Sequence, residues 1–156
     1  FLCGNGGSLA IANHILCDLF KQSSSDTALE PLVFSLASNF ELLTAISNDI
    51  SYEEIFSYQL NRVGTKGDVL ITISSSGDSE NIVRAIDQAN KMGITSISLT
   101  GFNGGRSKKQ SDFNIHVQEE NYGIIEDAHQ SILHAMTQYI RVKNLDKNKN
   151  LESIRL

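Results

Sequence analysis

The chain has 156 residues, 40% of them hydrophobic and 20% charged, and a formal net charge of −5. That length suits one domain with a proper core, and the acidic balance argues against a nucleic-acid-binding surface. No apolar run approaches the ~20 residues of a membrane span. Cys3 and Cys17 make neither a disulfide framework nor a CxxC metal site, and their apolar surroundings predict buried, reduced thiols in a cytosolic protein.

Phe1-Leu2-Cys3 reads as the end of an apolar strand, so the start is expected to be a truncation and nothing there reads as a targeting peptide. Gly4-Asn5-Gly6-Gly7-Ser8 turns out of this strand, and helical spacing follows from Leu9 to about Gln22. After a polar loop over Ser23–Glu30 and the lone proline, Pro31, residues 32–36 predict a strand and Asn39–Ser47 a helix. Tyr52–Val63 reads as an amphipathic helix with Ile55, Phe56 and Leu60 on one side. Val69–Ile73 is a β-branched run suited to a strand buried on both faces. Glu80–Met92 is helical with Gly93 as its cap, Ile94–Leu99 predicts another strand, and Gly101–Lys109 a glycine-rich basic loop. Phe113–Val117 alternates like an edge strand, and a last helix covers about Ile124–Val142. The unit 1–143 is read as one domain, with 144–156 a charged tail, frayed or docked on a neighbour. Strand, turn and helix repeated with short loops predict an α/β fold with a parallel sheet between helices.

Ligands of open parallel sheets bind beyond the carboxyl ends of the strands, and two turns fall there. The glycines of Gly4–Ser8 let main-chain N–H groups approach a ligand closely; the turn is neither GxGxxG nor a P-loop. Ser74-Ser75-Ser76-Gly77-Asp78-Ser79 offers four hydroxyls at a helix N-terminus, a combination that suits a phosphate monoester. The alternative is that Ser79 or Asp78 only caps the helix. Asp78, whose charge would oppose a phosphate, is expected to point to solvent.

Leu2–Ser8, together with Asp68-Val69-Leu70 leading to Ile73–Ser79, resembles the signature of SIS-domain phosphoheptose isomerases. The likeness extends through Ala45–Asp49, Leu99-Thr100-Gly101 and the last helix. The resemblance implies a three-layer α/β/α sandwich around a parallel five-stranded sheet, here without the helical segment that precedes the first strand. It implies a homotetramer with active sites at subunit interfaces; the protein is expected in the cytoplasm, and charge and hydropathy predict neither a nucleic-acid nor a membrane partner. The implied reaction is aldose–ketose isomerisation of sedoheptulose 7-phosphate to D-glycero-D-manno-heptose 7-phosphate through an enediol(ate), supplying lipopolysaccharide, capsule or other surface glycan. By position it assigns substrate contacts to Asn5, Gly6, Gly7, Asn48, Asp49, Ser74, Ser75, Ser76, Ser79 and Glu126, with Ser8 a further candidate. It places one zinc ion on His14, Asp18, Glu126 and His134, with Asp18 as base and His134 as acid/base partner. The family has Glu at Asp18, Gln at Glu126, and often an aspartate at Gly123.

On elementary geometry His14 and Asp18, four apart, share one helix face, and imidazole with carboxylate suits a divalent metal. Glu126 and His134, eight residues apart, stand roughly 12 Å apart along a helix axis, so one ion could meet both only at the limit of their reach. His129 and His116 match no site position and read as a helix-surface or packing residue and an edge-strand residue. Two other readings stay open: a non-catalytic SIS module that senses a phosphosugar or binds a replication initiator, and an isomerase of another phosphosugar. Retention of His14, Asp18, Glu126 and His134 favours an enzyme.

Overall fold

The computed structural model describes residues 1–146, so the expectation for the tail beyond Asp146 lies outside the described residues. Strands β1 (Leu2–Gly4), β2 (Val69–Ser74), β3 (Thr95–Thr100) and β4 (Phe113–His116) form one sheet in the order β1-β2-β3-β4. Every pairing is parallel. Side chains alternate across this sheet as the pleat requires. Cys3 and Leu70 go to one face, where they pack with Phe56, Leu60, Ile82, Ile86 and Ala89. Leu2, Ile71, Ile73 and Leu99 go to the other, with Ile11, Ala12, Ile15 and Leu133. The two cores give three layers. Helices α2 (Phe40–Asp49), α3 (Ser57–Val63) and α4 (Glu80–Met92) supply the first face, and α1 (Gly7–Cys17) and α6 (Tyr122–Lys143) the second.

The parallel α/β/α class is as expected, but among the described residues the sheet has four strands rather than five. Residues 34–36 run beside β1, where Leu2 donates to the Phe34 carbonyl and Leu36 to the Leu2 carbonyl, each at 2.9 Å. That is a single parallel bridge, Leu2↔Ser35, too short to count as a fifth strand. The Tyr52–Val63 helix divides into a 3₁₀ turn over Tyr52–Glu54 and α3, with Ile55 and Phe56 buried at the break. The first helix leaves α geometry at Asp18 and continues as a π turn to Gln22, in which the Ser23 amide reaches the Asp18 carbonyl. The glycine cap of α4 is as expected: Gly93 has φ +70°, in the left-handed region that favours glycine.

Cys3 is buried, and burial pushes its thiol up to about 12, so it is inert. Cys17, expected to be buried, is exposed, on the side of α1 turned from the sheet. The face of β3 that carries its even-numbered residues is polar. Ser96 donates to Asp112, Ser98 pairs with Ser111, and Thr100 lies 3.1 Å from His116. This ladder ties β3 to the short helix α5 (Ser107–Gln110) and to β4 at the edge. Among the described residues no helix is long and apolar enough to cross a membrane.

His129 is fully buried in α6, with Nε2 3.2 Å from the Thr100 carbonyl and Nδ1 without a partner. It is a packing residue that fixes the carboxyl end of β3 to α6. Burial, and to a lesser extent His116, lowers its pKa while the Thr100 carbonyl opposes this. The unfolded chain therefore takes up a proton here before the folded one does. Stability is held above about pH 6.5, the ordinary histidine value, and falls as pH drops below it. The expected result is that urea midpoints decline between pH 7.5 and 5.5 and that His129→Gln flattens this decline.

Candidate active site

The first turn is shaped by three glycines with different reasons to be there. A Cβ on Gly4 would come within 2.6 Å of the Ser8 carbonyl, so β1 and the start of α1 touch backbone to backbone. Gly6 has φ +54° and ψ −123°, a combination open to glycine alone, although there is space around it. A Cβ on Gly7 would overlap the Glu126 carboxylate, which therefore rests on the first turn of α1. Asn5 is held from two sides. Its amide exchanges two 2.9 Å hydrogen bonds with the buried Asn81, and Tyr52 donates to its oxygen at 3.0 Å. Neither Asn81 nor Tyr52 was legible as a site residue from sequence, since an asparagine in a helix and a tyrosine at a turn carry no pattern.

The second turn leaves β2 beside the first. Ser74 and Ser75 are buried, and the Ser75 Oγ has no hydrogen-bond partner. Ser74 Oγ accepts from the Gly77 amide at 3.2 Å and Ser76 Oγ from Asp78 at 3.3 Å. Ser79 occupies the N-cap position of α4 but its side chain caps nothing. The capping alternative therefore fails for Ser79, and its hydroxyl is available to a ligand. Asn5, Ser8, Ser74, Ser75, Ser76, Ser79, Tyr122 and Glu126 line one small cavity of about 140 Å³. A larger groove of about 610 Å³ lies at the amino ends of the strands, against Phe1, Leu32, Phe34, Val69 and Ile97. It is apolar and holds no residue of either turn.

Farther along the same two helices a second group forms. His14, Asp18 and His134 present ligand atoms that all lie within 4.8 Å of one another. His134 Nδ1 is 2.8 Å from Asp18 Oδ2, His14 Nε2 is 3.9 Å from the same oxygen, and the imidazoles meet edge to face. Asp18 Oδ2 is buried and, although close to His134, is out of line for a hydrogen bond. A buried anionic oxygen without an aligned donor, between two imidazole nitrogens, is a donor set that fits a divalent first-row metal. The half-exposed His14 leaves the group open to solvent and to a ligand. Glu126, expected as a fourth ligand, stands in the serine cavity instead and is outside this group. The helical separation from His134 accounts for the difference.

The structure thus brings together Asn5, Ser8, Ser74, Ser75, Ser76, Ser79 and Glu126 in one place, and His14, Asp18 and His134 in another. Gly6 and Gly7 frame the first. Asn48 and Asp49 are not brought to either. They end α2 in exposed positions, with the Asn48 amide donating to the Asp49 carboxylate at 2.7 Å. Tyr122 is the cavity residue that the sequence reading missed.

Fold and site define an α/β domain with a hydroxyl-lined cavity at the carboxyl edge of a parallel sheet and a His-Asp-His group farther along the same helices. A SIS domain family profile matches residues 1–101. The phosphoheptose isomerase of Clostridium acetobutylicum is 42% identical over 133 residues, 85% of this chain and 67% of its own length. That of Helicobacter pylori is 36% identical over 148 residues, 94% of this chain and 76% of its own. Among solved structures, the phosphoheptose isomerase of Neisseria gonorrhoeae superposes with a TM-score of 0.84 at 33% identity, covering 90% of this chain and 74% of that one. The chain belongs to the SIS domain family and, within it, to the phosphoheptose isomerases, enzymes of the aldose–ketose isomerase class.

The two neighbouring glycines separate backbone strain from site geometry. Gly6→Ala should cost about 1–3 kcal/mol in urea unfolding because it forces a side chain into a glycine-only conformation. Gly7→Ala meets only the movable end of Glu126, so it should leave the urea midpoint nearly unchanged. By displacing that carboxylate it should still lower turnover by up to about a hundredfold.

Proposed function

We propose that the chain interconverts sedoheptulose 7-phosphate and D-glycero-D-manno-heptose 7-phosphate in the cytoplasm. The observation that carries this is the convergence of Asp18 with His14 and His134, two to three helical turns from a cavity lined by serine hydroxyls. The phosphate lies in that cavity, taken up by Ser74, Ser75, Ser76 and Ser79 and by main-chain amides at the start of α4. Helices α1 and α6 carry both ends of the site, and about 12 Å of axial rise separates Glu126 from His134. That span suits an extended seven-carbon chain with its phosphate at one end and its carbonyl at the other.

At the carbonyl end Asp18 takes the proton from C1 of the ketose, and the C1–C2 enediol(ate) forms as electrons move toward O2. His134 passes a proton between O1 and O2, and return of a proton to C2 completes the aldose. His14, Asp18 and His134 would hold a divalent metal, zinc by donor type, whose chemistry is to polarise the two oxygens. Asp18 is one methylene shorter than the glutamate usual in the family. Glu126 adds a charge where an amide is usual, and that charge falls in the serine cavity and not among the metal-binding side chains.

A non-catalytic phosphosugar sensor would have no need of a carboxylate buried between two imidazoles, and the isomerase reading is preferred for that reason. The active assembly is taken to be a homotetramer, with Leu32, Phe34, Phe40 and Tyr139 among the exposed apolar side chains available for contacts between copies. Asn48 and Asp49 would then reach substrate only across such a contact.

Purified protein should convert sedoheptulose 7-phosphate, with Asp18→Asn and His134→Ala each lowering kcat by about 10²–10⁴-fold. Zinc should raise the wild-type Tm and leave that of His134→Ala unmoved; saturation at about a hundred times Kd corresponds to about 2.7 kcal/mol. Unchanged turnover in both variants would end the assignment of Asp18 and His134.

A further inference from the structure

Two carboxylates stand where a phosphate-binding turn should carry none. Asp78 lies inside the serine turn, and Glu80 is the first residue of α4. Left alone, both would oppose an anion at this helix N-terminus. Arg106, from the glycine-rich loop after β3, addresses both. Its Nε donates to Asp78 Oδ1, its Nη1 to Glu80 Oε2 at 2.7 Å, and its Nη2 to the Asp78 carbonyl at 2.9 Å. All three guanidinium nitrogens are spent on this one turn. Arg84 takes the other Glu80 oxygen at 2.9 Å and extends the chain of charges to Glu54 at 2.6 Å.

The loop that carries Arg106 does not need its charge to stay in place. The Ser107 amide donates to the Gly77 carbonyl and the Gly101 amide to the Ser75 carbonyl, each at 2.8 Å. Gly77 and Gly105, both with positive φ, let the two backbones touch where any Cβ would collide. What remains for the guanidinium is electrostatic. Arg106 holds the Asp78 carboxyl below the usual carboxylate range, and Arg84 followed by Arg106 does the same for Glu80. The two carboxylates are thus favoured in their charged form, and their repulsion of a ligand is offset by the guanidinium that lies against both. Exposed ion pairs add little to folding, so the function of this one is sought in the ligand.

We propose that Arg106 is a positioning residue of the phosphate subsite, which turns Asp78 and Glu80 away from the bound anion and cancels their charge. The inference rests on the serine turn being the phosphate site. The test uses the full chain, with inorganic phosphate as competitive inhibitor and sedoheptulose 7-phosphate as substrate. In Arg106→Gln, KM and the phosphate Ki should both rise about three- to tenfold while kcat changes less than about twofold, and the rise should shrink as salt is added. The triple variant R106Q/D78N/E80Q should return both constants to near the wild-type values, a rescue that loss of a merely structural clamp would not give. Arg106→Gln binding phosphate like the wild type, or a triple variant as weak as the single one, would overturn the proposal. If instead S75A/S79A leaves phosphate inhibition unchanged, the serine turn is not the phosphate site and both readings fall together.

Discussion

The site depends on α1 and α6 lying side by side and running in the same direction. At one end of that contact the missing side chain of Gly7 gives the Glu126 carboxylate its place. At the other, Asp18 meets His134. Helices of fixed rise that touch at both ends hold their side chains in fixed relation, so the cavity and the His-Asp-His group are spaced by helical geometry rather than by loops. The sheet supports this arrangement from below. Leu2, Ile71, Ile73 and Leu99 fill the layer between the strands and these two helices, and His129 fastens α6 to the end of β3.

Electrostatics divides the site in the same way. The serine end is lined mainly by neutral hydroxyls and amides together with the Glu126 carboxylate, and the two acids of its turn, Asp78 and Glu80, are paired with Arg106. The histidine end gathers a buried carboxylate oxygen and two imidazoles that approach it without satisfying it. A ligand with a dianionic ester at one end and a polarisable carbonyl at the other matches this asymmetry. Asn5 belongs to the frame more than to the ligand surface. Both atoms of its amide are taken by Asn81 and Tyr52, so its part is to hold the main chain of the first turn.

Much of this was legible in the chain before any coordinates. The β-branched run at Val69–Ile73 suited a buried strand, which it forms except for the exposed Val69, and Glu80–Met92 with its Gly93 stop was readable to the residue because periodicity and cap agree. The serine turn and the His14–Asp18 pair followed from short spacings. What sequence could not give were relations between distant segments. The split of Glu126 from His134 needed the helix contact, and the single bridge that residues 34–36 make needed the position of β1 beside them. Cys17 was misjudged because its apolar neighbours in sequence face the sheet, whereas it does not. Asn81, Tyr122 and Arg106 carry no local pattern; each matters through a partner 25 or more residues away.

The bare-backbone contact between Gly77 and Gly104–Gly105 has a mechanical consequence. With no side chains between them to slide or rotate, the two crossovers are interlocked and must shift as a single plate. Breathing of the cleft during turnover would then fall to the opposite wall, the leading turn of α6 around Tyr122 and Gly123, which Asn121 fastens through one side chain. Enlarging the cleft for a bulkier phosphosugar would accordingly begin at that wall and leave the interlocked loops untouched.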